Sequence, residues 1–126
     1  MSSSGANPAD EVQRLFQQAL AHQRQGQAAQ AEARYAQILE LNPRHAPSLH
    51  LLGTLALQSG SAQRACEFIT RSTEADPTVA VAHLDLANAL CLAGKPDIAL
   101  ASYDRAIELK RDLFQAHFSK AVVLQS

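Results

Sequence analysis

His83 and His117 are 34 residues apart, and a recurring imidazole is the kind of donor from which zinc sites are assembled. Zinc takes such nitrogens at about 2 Å and needs three or four ligands. Equivalent positions on stacked helical units lie about 10 Å apart, the spacing of packed helix axes. Cys91 and His50 do not complete a ligand set. Packed or half-exposed imidazoles are therefore the expectation, with no metal and no other cofactor. Covalent and phosphate chemistry also lack their signatures. The chain has no Gly-x-Ser-x-Gly elbow, no phosphate-binding glycine loop and no His-Glu-x-x-His helix. No catalytic residues are assigned, and the chain is not expected to be an enzyme. Cys66 and Cys91 are too few for a disulfide framework and read as reduced thiols of a cytoplasmic protein.

Charge excludes another class. The 11 basic and 12 acidic residues leave a formal net charge of -1, without the basic footprint of a nucleic-acid binder. The first residues, Met1-Ser2-Ser3-Ser4-Gly5-Ala6-Asn7, have neither a basic start nor an apolar stretch and do not read as a signal peptide. The most apolar run, Val79 to Ala93, is interrupted by His83, Asp85 and Asn88. It is shorter than the roughly 20 residues that span a bilayer. Neither a nucleic acid nor a membrane is an expected partner.

What positions these side chains is a period. Gly26, Gly60 and Gly94 are spaced by 34, as are Ala31, Ala65 and Ala99. Ala19, Gly53, Ala87 and Ala121 keep the same step with small residues, Tyr35, Ile69 and Tyr103 with large ones, and Pro43 and Pro77 with proline. Self-similarity at such a period marks a solenoid. The units are framed as 12–45, 46–79 and 80–113, with 114–126 beginning a fourth and 1–11 a polar tail running into the first helix.

Each unit reads as two amphipathic helices. Leu15, Ala19 and His22 recur at helical spacing, Gly26 interrupts, and Ala31, Tyr35, Ile38 and Leu39 resume. Glycine suits the interruption because a helix often ends on a left-handed residue, which penalises a side chain. Proline closes the second helix by disfavouring helix in the residue before it. The map is helix near 10–24, 28–41, 46–58, 62–74, 80–92, 96–109 and 114–125. Asn7 is placed to cap the first, with Pro8 in its first turn and Asp10 reaching back. Asp112 and Gln115 have capping-box spacing for the last, so a turn is expected at Arg111 even though proline is missing there. Ala19, Gly53 and Ala87 face Ala31, Ala65 and Ala99, because helices cross closely only over small contact residues. Leu15, Leu49, Leu52, Leu86, Tyr35 and Tyr103 fill the layers between.

This pattern resembles the tetratricopeptide repeat (TPR). The likeness rests on Leu52 and Leu86, the small Ala19, Gly53 and Ala87, the alanines 31, 65 and 99, Tyr35, Tyr103, Ala106, Pro43 and Pro77. It spans 102 of the 126 residues plus the partial fourth unit. His83 and His117 stand where the family has a large apolar residue, Gln18 where it has Leu, and Arg111 where it has proline. The resemblance implies an all-α solenoid: three antiparallel helix pairs in a right-handed superhelix plus one further C-terminal helix. The stretch Ala99-Leu100-Ala101-Ser102-Tyr103-Asp104-Arg105-Ala106-Ile107-Glu108-Leu109-Lys110 is similar to repeats in large bacterial TPR proteins. Some of those carry a C-terminal glycosyltransferase domain related to O-linked N-acetylglucosamine transferases.

By the same resemblance the first helix of each pair lines a concave groove. The groove set is Phe16, Leu20, His50, Thr54, Leu57, Leu84, Asn88, Cys91, Phe118 and Val122, with Gln23 and Val81 beside it. It is mostly apolar, with Asn88, Thr54 and His50 as polar fixtures. The expected partner is a protein or peptide segment. Some family members clamp a peptide's terminal carboxylate with Lys, Asn and Arg side chains. Phe16, Leu20, Leu51, Val81 and Asp85 occupy those places here, so such a clamp is not expected. The alternative is that the chain is the N-terminal substrate-recognition arm of a larger enzyme such as a TPR-containing glycosyltransferase. A terminal cap should have a polar outer face, whereas Phe118, Val122, Val123 and Leu124 make the last helix apolar. That favours a cut chain over a capped one, and predicts self-association through residues 114–125.

Overall fold

A computed structural model describes residues 7–126. Among them are seven helices: α1 (Pro8–Arg24), α2 (Ala28–Leu41), α3 (Ala46–Gln58), α4 (Ala62–Ala75), α5 (Ala80–Leu92), α6 (Pro96–Leu109) and α7 (Phe114–Leu124). No strand occurs among the described residues. The most extensive packing joins α1 to α2, α3 to α4 and α5 to α6. Thinner seams join α2 to α3, α4 to α5 and α6 to α7. The architecture is an all-α solenoid of helix pairs with one further helix.

The ends of the helices follow local chemistry. The Asn7 Oδ1 accepts the Asp10 N–H at 2.9 Å, and Pro8 opens the first turn. Asp10 contributes its backbone to this cap, and its carboxylate lies where the helix dipole favours an anion. Each first helix ends on a glycine with φ of 75°, 88° or 82°, at Gly26, Gly60 and Gly94. The residue after each glycine closes the turn: Gln27 N–H to His22 O, Ser61 N–H to Ala56 O and Lys95 N–H to Leu90 O, all at 2.8 Å. This pairing satisfies carbonyls that a helix end otherwise leaves open.

The second helices end on Asn42, Asp76 and Lys110, with φ of −145°, −144° and −145°. Proline enforces that extended geometry after the first two. After the third stands Arg111, and the backbone is the same. The turn survives, as its spacing predicted, although not through Asp112. Leu113 is the N-cap of α7 and no side chain caps that helix. Instead, His117 Nε2 donates to the Arg111 carbonyl at 2.9 Å, and His83 Nε2 donates to the Pro77 carbonyl at 2.9 Å. The two periodic imidazoles tie their helices to the preceding turn.

His45 has a comparable structural task that its sequence context did not reveal. It is the N-cap of α3, its Nδ1 accepting the Ser48 N–H at 3.3 Å and lying 2.8 Å from the Ser48 hydroxyl. Only an unprotonated Nδ1 can accept, and burial holds this imidazole's pKa below the usual histidine value. A lowered pKa means the folded state disfavours protonation. The cap's contribution is therefore complete above the unfolded value near 6.5 and is lost as pH falls through the folded value. Replacing His45→Asn keeps a capping oxygen without a titration. The variant is expected to lose less stability than wild type between neutral pH and about pH 5, by a fraction of the roughly 1 kcal/mol a cap supplies. Urea midpoints at the two pH values check this. Equal losses in both proteins would exclude His45 as the titrating cap.

The core forms two clusters. One gathers Val12, Leu15, Ala19, Ala31, Tyr35, Ile38, Leu52 and Leu55. The other runs from Ala56, Ala65 and Ile69 through Leu84, Leu86 and Ala87 to Ala99, Tyr103, Ala106 and Ala116. The crossings are as tight as their small residues imply. Ala19, Ala31, Ala65, Ala87 and Ala99 have no exposed surface. A Cβ at Gly53 would collide with the Ile69 Cγ1 and come within 2.9 Å of its Cδ1. Beside Ala19 and Ala87, the Ile69 place is held by Tyr35 and Tyr103.

Candidate functional site

The sequence-predicted site residues lie on α1, α3, α5 and α7, with α3 touching α5 and α5 touching α7. On α1, Phe16 is half-buried: its ring meets Tyr35 at 6.1 Å and stands edge-on to His45 at 5.4 Å. Leu20 is half-buried beside it along the helix. On α3, Thr54 turns its hydroxyl back to the Leu51 carbonyl at 2.8 Å, and Leu57 packs against the second core cluster. Each of these side chains leaves only part of itself exposed.

Polar side chains are joined in two separate groups that spacing alone did not reveal. His50 Nε2 lies 2.7 Å from Asp85 Oδ2, joining α3 to α5. Asn88 Oδ1 accepts the Tyr103 hydroxyl at 2.6 Å, and Cys91 Sγ lies 3.7 Å from that hydroxyl. Burial pushes the Tyr103 phenol up to about 12, so it stays a donor at neutral pH. Tyr35 does the same two repeats earlier, donating to Gln23 Oε1 at 2.6 Å. The Asn88 Oδ1 is thus a structural acceptor, and Asp85 is not an isolated negative charge.

Leu84 is a correction to the groove set. It is 3% exposed and sits inside the second core cluster, so it supports the surface without presenting one. The opposite holds on α7. Phe118 and Val122 are 72% and 49% exposed. Phe114, which the sequence reading passed over, is 80% exposed and completes a ridge at i, i+4 and i+8. Val123, read as part of the open flank, is half-buried against the core. The signal for Phe114 was its helical spacing from Phe118, masked by its place at the helix start.

Cations are scarce on this surface. The Lys120 Nζ is paired with Asp104 at 2.6 Å. No group of three His, Cys, Asp or Glu side chains suited to a metal ion occurs among the described residues. No helix of the described residues is long and apolar enough to cross a membrane.

A family model described as "Tetratricopeptide repeat" matches residues 16–80, just over half of the chain. The chain belongs to the tetratricopeptide repeat family. No curated protein matches it in a sequence search. Solved TPR structures agree with the fold throughout. A mutant O-GlcNAc transferase from Thermobaculum terrenum is 29% identical, with a TM-score of 0.85 over 98% of this chain and 23% of that one. This TPR chain therefore spans less than a quarter of that enzyme. MamA is 19% identical, with a TM-score of 0.86 over 90% of this chain and 67% of its own. The second TPR domain of human RPAP3, in complex with the HSP70 peptide SGPTIEEVD, is 14% identical, with a TM-score of 0.88 over 95% and 100% of the two chains.

Proposed function

We propose that the chain is a protein-interaction module whose first helices receive a peptide or protein segment along Phe16, Leu20, His50, Thr54, Leu57, Asn88, Cys91, Phe118 and Val122, with Leu84 as buried support. The observation that carries this reading is the Phe114–Phe118–Val122 ridge, large apolar side chains left exposed on α7. Contiguous exposed apolar surface marks an interaction site more often than a solvated face. The peptide-bound RPAP3 domain of the same fold supports it. In this reading the units run 12–45, 46–79 and 80–113, followed by the first helix of a fourth.

The partner differs from the peptide RPAP3 holds. Phe16, Leu20, Leu51, Val81 and Asp85 offer no cation to a terminal carboxylate. The labelled peptide SGPTIEEVD is expected to show no saturable binding. Phe118→Ala combined with Val122→Ala is expected to weaken a partner recovered from the native host by at least about tenfold. Both side chains are open to solvent, so helical content should hold. Anisotropy titrations with circular dichroism check both statements. Unchanged affinity in the double variant would move the partner to another face.

A second copy is the rival occupant of the same ridge. Two Phe side chains at these exposures contribute roughly 300 Å² per copy, well under the roughly 800 Å² of a standard interface. Self-association through residues 114–125 is therefore weak. Sedimentation of wild type and Phe118→Glu at rising concentration measures it.

The likeness to the O-GlcNAc transferase over nearly all of this chain favours a second reading: a substrate-recognition arm of a longer enzyme. The open reading frame that encodes residues 1–126 distinguishes the two readings. A glycosyltransferase domain in the same frame would support the arm.

A further inference from the structure

The crevices between successive first helices are not filled alike. In the first, Phe16 closes edge-on against His45 at 5.4 Å, beside a wider cavity of about 450 Å³ lined in part by Val12, Gln13, Asn42 and His45. In the third, Leu84 fills the space, 3% exposed among Leu113 and Ala116. His50 stands one repeat after Phe16 and one before Leu84. Its imidazole is drawn to Asp85 at 2.7 Å, and the middle crevice keeps a cavity of about 150 Å³. Ala46, Pro47, Val79 and Ala82 form most of its wall, with His50, Ser72 and Asp76. The small Ala46, Ser72 and Ala82 leave the room.

The rim of this cavity is one-sided in charge. Neither Lys nor Arg lines it. The Asp76 carboxylate is occupied by the Thr78 N–H at 3.1 Å and the Thr78 hydroxyl at 2.6 Å, bonds that hold its pKa down. Asp85 is different. Its partner is an imidazole, and its side chain remains 26% exposed. Among the described residues, no guanidinium or ammonium group pairs with that carboxylate, so it is open to an arriving cation.

We propose that this crevice is the anchor point of the partner segment: it takes one apolar side chain of about leucine size, with a basic residue next to it against Asp85. The equivalent positions supply the template, since one repeat before and one after His50 the chain places Phe16 and Leu84. This rests on reading α1, α3, α5 and α7 as the binding face, and it adds which side chain chemistry is held and where.

The test is selection of a random-peptide display library on the whole 126-residue chain, followed by anisotropy titration of the selected peptides. They are expected to share an aliphatic or aromatic residue beside Lys or Arg, and to lose at least about tenfold in affinity when that apolar residue becomes Ala. His50→Leu gives this crevice the residue the next one already has. It should cost the peptides at least about tenfold while leaving the helical spectrum unchanged. Asp85→Asn should abolish the preference for Lys over Glu at the adjacent peptide position, and wild-type preference should shrink with salt. Peptides that bind the His50→Leu chain undiminished but are weakened by Phe118→Ala would overturn the anchor and leave the groove standing. Peptides indifferent to both substitutions would overturn both.

Discussion

Replacing Ala65→Leu is expected to destabilise the chain by about 1–3 kcal/mol, whereas Gln63→Leu two residues away should be nearly neutral. Ala65 has no exposed surface, and its backbone carbonyl would lie 3.3 Å from a Cβ at Gly53. Additional carbons there have no void to enter, so they must displace α3 from α4, the most extensively packed pair. Gln63 is exposed on the first turn of α4, and substitutions at such sites usually change stability little. Urea unfolding monitored by circular dichroism measures the difference. Equal midpoints for the two variants would mean that the crossing lies elsewhere.

The same crossing allows a finer test. Gly53→Ala removes a glycine from a helix interior, which favours folding by about 1 kcal/mol. It also forces a Cβ onto the Ile69 Cγ1, and overpacking costs about 1–3 kcal/mol. Ile69 is β-branched and held to few χ1 positions, so it yields poorly and the net effect is a loss. Tyr faces Ala in the first and third pairs. Adding Ile69→Tyr to Gly53→Ala recreates that combination and is expected to recover part of the loss, with Thr54 standing where Asn88 receives the hydroxyl of Tyr103.

Tyr103→Ala is expected to be the most damaging single change, at about 3–5 kcal/mol. The side chain is 2% exposed in the second core cluster, between α5 and α6 and under α7. Truncation removes a large ring and leaves a cavity that backbone held by its neighbours cannot close. Tyr103→Phe separates the ring from the hydroxyl. It gives up the 2.6 Å bond to Asn88 and the 3.7 Å contact with Cys91 Sγ. Asn88 is half-buried, so water can replace part of what is lost, and the cost should be about 0.5–1.5 kcal/mol. Packing therefore outweighs the hydrogen bond by a factor of several. Similar losses for Tyr103→Phe and Tyr103→Ala in denaturant titrations would reverse that ranking.

The sequence by itself determined whatever depends on a residue and its near neighbours along the chain. Gly26, Gly60 and Gly94 ended helices because a left-handed residue is cheap only for glycine, and the three φ values are positive as that argument requires. Asn7 capped α1 because its side chain reaches a donor three residues on. The period of small residues located the crossings because close approach excludes large side chains whatever lies around them. The missing cations at the clamp positions were legible in the same way, since absence of a residue type needs no coordinates.

Tertiary structure decided what equivalent positions do. Leu84 and Phe118 are one repeat apart, yet one is 3% and the other 72% exposed, because burial is conferred by the helices that follow. His50 could not be read as the partner of Asp85, since 35 residues separate them and only the stacking of α3 on α5 closes the gap. The turn at Arg111 kept the geometry of its proline-bearing counterparts, with His117 bonded to the Arg111 carbonyl as His83 is to that of Pro77, bonds that local propensity does not describe. The open middle crevice has the same origin. Its walls come from α3, α4 and α5 together, and they meet only once neighbouring repeats are in contact.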